Sequence, residues 1–76
     1  MKAHVYVSLK KTVLDPQGKT IHSALSGLGF QNVEAVRQGK HFELEVDDTV
    51  DDATLHRIAG SLLANPVIED WVVTRG

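Results

Sequence analysis

The chain has 76 residues, with eight basic and ten acidic side chains, a net charge of −2 and no cysteine. That balance excludes a polyanion binder working by bulk electrostatics, and the missing thiols exclude a disulfide frame or a Cys-x-x-Cys metal cage. Residues 1–76 have room for a single domain, one that buries only about 60% of the surface its unfolded form exposes.

Residues 3–9 alternate, with Ala3, Val5, Val7 and Leu9 on one side and His4, Tyr6 and Ser8 on the other. This period of two predicts a strand with one buried face. Asp15-Pro16 then predicts a helix start. Asp15 is the N-cap, and Pro16 takes the first helical position, where its missing N–H costs nothing. Ile21, Ala24, Leu25 and Leu28 fall on one helical stripe. Gly29 suits the left-handed position after the helix, and Phe30 can fold back onto the last turn.

Residues 32–39 and 40–46 read as two strands of a hairpin joined through Arg37-Gln38-Gly39-Lys40. Phe42, Leu44 and Val46 take its buried face, and His41, Glu43 and Glu45 the other. Thr49 is expected to cap a second helix, with Asp52 as a capping-box acid. Leu55, Ile58, Ala59, Leu62 and Leu63 form its stripe. Asn65 is expected to close it in the left-handed conformation, and Pro66 forbids continuation. Residues 67–75 give a last strand that is apolar in both registers: Val67, Glu69, Trp71 and Val73, or Ile68, Asp70 and Val72.

The expected class is α+β, with the order β-α-β-β-α-β of a ferredoxin-like fold. It would be a four-stranded antiparallel sheet with two helices on one face. A strand apolar on both sides has something against both sides. The open face, with Tyr6 and one apolar set of the last strand, is therefore expected to meet another chain, in a homodimer or a dimer of dimers.

Of four histidines, His4, His22, His41 and His56, the first and third can neighbour each other on the open face, but no carboxylate spacing typical of a metal site accompanies them and they read as scattered surface residues. A serine triad lacks a nucleophile elbow. Free N–H groups at the helix start beside Lys10, Lys11 and Lys19 can hold an anion, although Asp15 would repel it. Tyr6 alone makes no base-stacking platform, so no nucleic-acid partner is expected. No apolar run approaches the roughly 20 residues of a membrane span, and "MKAHVYVSLKK" has no signal-peptide core. A cytoplasmic protein without a membrane partner is expected. On the residues alone, a free-standing ferredoxin-like domain that senses an amino acid or another small molecule stays open as an alternative.

Three segments in this order, "VLDPQGKTIHSALSGLGF", "VRQGKHFEL" and "LLANPVIEDW", resemble the PurS family across nearly the whole chain. These are the small subunits of phosphoribosylformylglycinamidine synthase, the amidotransferase of de novo purine biosynthesis. The resemblance implies a complex in which a glutaminase subunit frees ammonia. A large synthetase subunit, using ATP and Mg²⁺, consumes that ammonia. The small subunit would bridge the two for ammonia delivery, with no catalytic residue, metal site or cofactor of its own; ligase and ATP-binding terms would apply through its partners. Because loops carry binding more often than scaffold does, the expected partner contacts are Asp15, Pro16, Gln17 and Gly18, then Arg37 and Lys40, then Asn65, Pro66, Glu69 and Trp71. Helix capping is the competing role for Asp15, Pro16, Asn65 and Pro66. Arg37→Glu is expected to spare the fold and weaken the complex.

Overall fold

The computed structural model describes residues 1–76. It contains β1 (Lys2–Leu9), α1 (Pro16–Gly27), β2 (Gly39–Glu45), α2 (Asp52–Ile58) and β3 (Glu69–Arg75). The sheet is antiparallel with order β2-β1-β3 and β1 in the centre. Val5 stands opposite Phe42 on one side and Val73 on the other; Val7 stands opposite Lys40 and Trp71.

This register settles the faces. Ala3, Val5 and Val7 are buried beneath α2, with Leu55, Ala59 and Ala64 completing the core. Phe42, Leu44, Leu63, Trp71 and Val73 pack around them, half-buried. Trp71 and Val73 thus face the helix, and Val72 lies on the open face beside Tyr6.

The α+β class and the antiparallel sheet hold, and three expectations do not. The sheet has three strands, not four. Residues 32–38 form no strand and no hairpin, because their polar groups are engaged near the start of α1: the Gln38 N–H donates to the Asp15 carboxylate at 2.7 Å. Nor do both helices lie on one face of the sheet. α2 does, whereas α1 packs against neither the sheet nor α2 to any appreciable extent. Leu14, Ile21, Leu28 and Phe30, in and around α1, are 42–74% exposed.

The helix ends explain themselves locally. Asp15 caps α1, accepting from the Gly18 N–H at 2.9 Å, with Pro16 in the first turn. At the other end Gly29 is left-handed, with φ of 98°, and the Phe30 and Gly29 N–H groups reach Leu25 and Ser26 carbonyls at 3.0 and 3.1 Å. This is the two-bond Schellman closure.

α2 departs from expectation at both ends. Its N-cap is Asp51, which accepts from the Thr54 N–H at 2.8 Å; Thr49 instead donates to Asp47 in the turn before. Beyond Ile58 the chain widens into a π turn, Ala59–Leu63, closed by Ala64 N–H to Ala59 C=O at 2.8 Å. A π turn takes up an extra residue and rotates the register. The apolar stripe therefore slips: Leu62 is turned out to solvent and Ala64 is buried. The indole of Trp71 lies against this turn at Gly60, where a Cβ would stand 3.0 Å from the ring. Asn65 is not left-handed, since no residue other than glycine has positive φ. The helix ends through extended Ala64 instead.

Candidate partner interface

The first two groups of candidate residues converge on one place. The Asp15 carboxylate is buried and bridges two segments, accepting from Gly18 with one oxygen and from Gln38 with the other. Arg37 stands beside it and donates to the carbonyls of Leu9, Lys10 and Val13 at 3.1, 2.9 and 3.3 Å. One acid and one guanidinium thus clamp the β1–α1 loop onto the segment leading into β2. Gly18 is buried in the same junction, where any Cβ would strike the Val36 carbonyl and the Asp15 carboxylate.

These contacts reassign the residues. The N–H of Gly18 is filled by the chain's own carboxylate, so the helix start offers no anion site there. Arg37 is exposed yet structural, which corrects the expectation that Arg37→Glu spares the fold. Arg37→Gln should lower thermal stability by about 1–2 kcal/mol, since charged donors to carbonyls are the stronger kind of hydrogen bond. Thermal unfolding of the variant checks this. Pro16, Gln17 and Lys40 remain free at the rim, and Gln17 and Lys40 help line a small cleft of about 150 Å³ with Val7, Leu9, Asp15, Gln38, Gly39 and Glu69.

Asn65 and Pro66 make a second surface, and Glu69 joins it to the cleft beside Gln17 and Lys40. The Asn65 side-chain oxygen accepts from Val67 N–H at 3.0 Å, and the Glu69 carboxylate accepts from Asn65 N–H at 2.7 Å. The turn is thus self-contained and presents Pro66, Val67 and Ile68 outward. Trp71 belongs to neither surface; half-buried on the helix side, it donates from its indole N–H to His56 Nδ1 at 3.2 Å.

Three carboxylates feel their local donors. The backbone N–H groups of Gln38 and then Gly18 hold the Asp15 carboxyl below the usual range against an opposing push from burial, with a smaller pull from Arg37. Thr49 does the same for Asp47, and Thr54 for Asp51. A carboxylate whose folded pKa is depressed stabilises the fold above its unfolded value of about 3.9, and that contribution is lost as pH falls through the folded value. Stability should therefore hold at neutral pH and decline below about pH 4. Asp15→Asn should flatten the decline, as read by urea midpoints between pH 2 and 6.

No helix is long and apolar enough to cross a membrane. The family model described as "PurS: Phosphoribosylformylglycinamidine (FGAM) synthase" matches residues 2–75. The chain is 60% identical over 74 residues to the phosphoribosylformylglycinamidine synthase subunit PurS of Mycobacterium leprae (strain TN), covering 97% of this chain and 94% of that one. Its fold is similar to that of Bacillus subtilis PurS in a C2 crystal form, with a TM-score of 0.87, 43% identity and coverage of 96% and 94%. It is also similar to a chain in the structure of PurLQS from Thermotoga maritima, with a TM-score of 0.83, 30% identity and coverage of 96% and 93%. Matched along almost its whole length in both sequence and fold, the chain belongs to the PurS family.

Proposed function

We propose that this chain is a non-catalytic assembly subunit of phosphoribosylformylglycinamidine synthase in de novo purine biosynthesis. It bridges the glutaminase and synthetase subunits so that ammonia passes between them in the cytoplasm. ATP and Mg²⁺ act at the synthetase, and the chain binds no cofactor. The observation that carries this reading is the likeness to a chain of PurLQS, which joins family membership to a place in an assembly. The reading as a free-standing small-molecule sensor has no observation in its favour. The Asp15–Arg37 clamp rim, with Gln17 and Lys40, and the Asn65–Glu69 turn are the surfaces we assign to the larger partners. Reconstitution of glutamine-dependent synthesis with and without the chain is the experiment that tests the assignment.

The same reading includes self-association, and here the shape of the chain is the argument. Its radius of gyration is 15.5 Å, against about 11 Å for a compact chain of this length. Its surface is 5547 Å², against roughly 4,600 Å² for a compact monomer. The excess, on the order of 900 Å², is close to what one partner contributes to a standard interface.

Two apolar surfaces on the chain fail to meet each other. One is the stripe of α1; the other is the part of the sheet that α2 leaves half-open, at Phe42 and Leu44 of β2. A 12-residue helix is marginal without tertiary support. α1 of one copy therefore seats on the sheet of another, in a homodimer or a dimer of dimers. With that exchange made, residues 1–76 behave as one domain, and the helix-covered sheet gains the second helix of a ferredoxin-like layer.

A further inference from the structure

The open face of the sheet carries a side-chain cluster outside the surfaces assigned above to the larger partners. His4 on β1 and His41 on β2 meet there, with His4 Nδ1 and His41 Nε2 2.8 Å apart. Their ring centroids are 5.1 Å apart with planes 23° from parallel. That separation is little more than the nitrogen gap plus two ring radii, so the imidazoles lie nearly end to end, nitrogen facing nitrogen. His4 and His41 are therefore neighbours, whereas His22 meets the Val33 carbonyl and His56 the Trp71 indole.

We propose that His4 and His41 form a two-imidazole chelate for a borderline divalent transition-metal ion that prefers tetragonal coordination, Cu²⁺ or Ni²⁺. Imidazole is a favoured ligand for these ions. With metal–nitrogen bonds of about 2.0–2.1 Å, two cis ligands at a right angle stand about 2.9 Å apart, and two tetrahedral ligands about 3.3 Å. The observed 2.8 Å is a direct hydrogen-bond contact and shows that both nitrogens reach one place; to share an ion they swing from facing each other to converging on it.

The backbone already places the pair. The strands fix both Cα positions, with Tyr6 opposite His41 and Glu43 opposite His4. In the metal-free chain His41 stacks on Tyr6, with centroids 4.6 Å apart and planes 7° from parallel, and metal binding gives up this contact. Each ring turns about its Cβ–Cγ bond until both lone pairs point at one place in solvent. The ring that now donates moves its proton to its other nitrogen, so both ligating nitrogens are free with no change in charge. Glu43 is the nearest acid on the face and pairs with Lys2 at 3.3 Å. No cluster of three potential ligands forms, so water completes the coordination.

The test is titration of the chelator-stripped full chain with CuCl₂ and with NiCl₂, followed by calorimetry and, for copper, by electron paramagnetic resonance. Saturable binding of one ion per chain with two imidazole nitrogens on copper is expected. His41→Asn and His4→Asn should each weaken binding by at least about tenfold, the lower end of what even an outer-sphere partner contributes. His22→Asn and His56→Asn should leave it unchanged. His41→Asn is the discriminating variant, because a copper site built by the amino terminus and His4 alone would survive it. Unchanged affinity in His41→Asn, or equal losses in all four variants, would overturn the proposal. So would the absence of saturable binding below millimolar metal.

Discussion

Ile21→Lys combined with Leu28→Lys should convert the chain from an oligomer to a monomer while leaving its sheet intact. Both side chains are exposed on the single chain, at 42% and 74%, so a charge there breaks nothing within the chain. Across an interface the same positions would bury against a neighbouring sheet. Each aliphatic side chain fully buried contributes about 1.5–3 kcal/mol. Four of them per dimer, about 6–12 kcal/mol in all, raise the dissociation constant by at least roughly ten-thousandfold. Sedimentation at micromolar concentration should find the parent chain at twice or four times the monomer mass and the variant at the monomer mass. The melting temperature of the parent should rise with concentration, as linkage requires, and that of the variant should not. A monomeric parent would leave the open stripe of α1 to the larger subunits alone.

Leu55→Ala should have the largest effect on stability. Only eight residues are buried, and Leu55 is the bulkiest of those with no solvent exposure. Truncating a buried leucine costs about 2–5 kcal/mol in lost transfer free energy and cavity formation. A chain of this length has roughly 4–11 kcal/mol in total. The variant should therefore lose a large share of its stability and be partly unfolded at 37 °C when dilute. The urea midpoint reads the loss. An unchanged slope would show that the sheet still unfolds as one unit. Because Leu55 lies under the sheet and away from α1, its cost should add to that of the Ile21→Lys and Leu28→Lys pair in the dimer.

Local signals in the sequence were legible where the chain decides its own conformation. Asp15-Pro16 starts α1, Gly29 and Phe30 close it, and alternation places Val5 and Val7 inside and Tyr6 outside. What was not legible depends on groups distant in sequence. Residues 32–38 have the composition of a strand, but a strand forms only if its backbone groups find a neighbouring strand. Here Asp15 and Arg37, with local propensities indifferent to the outcome, take that segment into the loop junction instead. The slip at Ala59–Leu63 was equally hidden, because a π turn preserves composition while rotating the stripe that periodicity relies on.

The candidate site divided along the same line. The sequence pointed to the Asp15–Gly18, Arg37–Lys40 and Asn65–Glu69 segments, and the fold brings the first two together with Glu69 of the third at the same cleft. It could not separate surface from support. An arginine at an assumed hairpin tip reads as free, whereas here it caps three carbonyls. Tryptophan in a two-faced strand reads as a contact residue, whereas the register turns it toward Gly60. The His4–His41 pair was visible only as a possible neighbourhood on one face; the 2.8 Å contact follows from the cross-strand register.

In the proposed role this chain joins two catalytic subunits and catalyses nothing itself. The most direct test of that role is the initial rate of product formation by the purified synthetase and glutaminase subunits, with ATP, Mg²⁺ and the formylglycinamide ribonucleotide, measured with and without the chain. Glutamine and ammonium chloride serve as alternative nitrogen sources. The account predicts that the chain is required for the glutamine-dependent rate and has little influence on the ammonia-dependent one. Equal glutamine-dependent rates with and without the chain would contradict it.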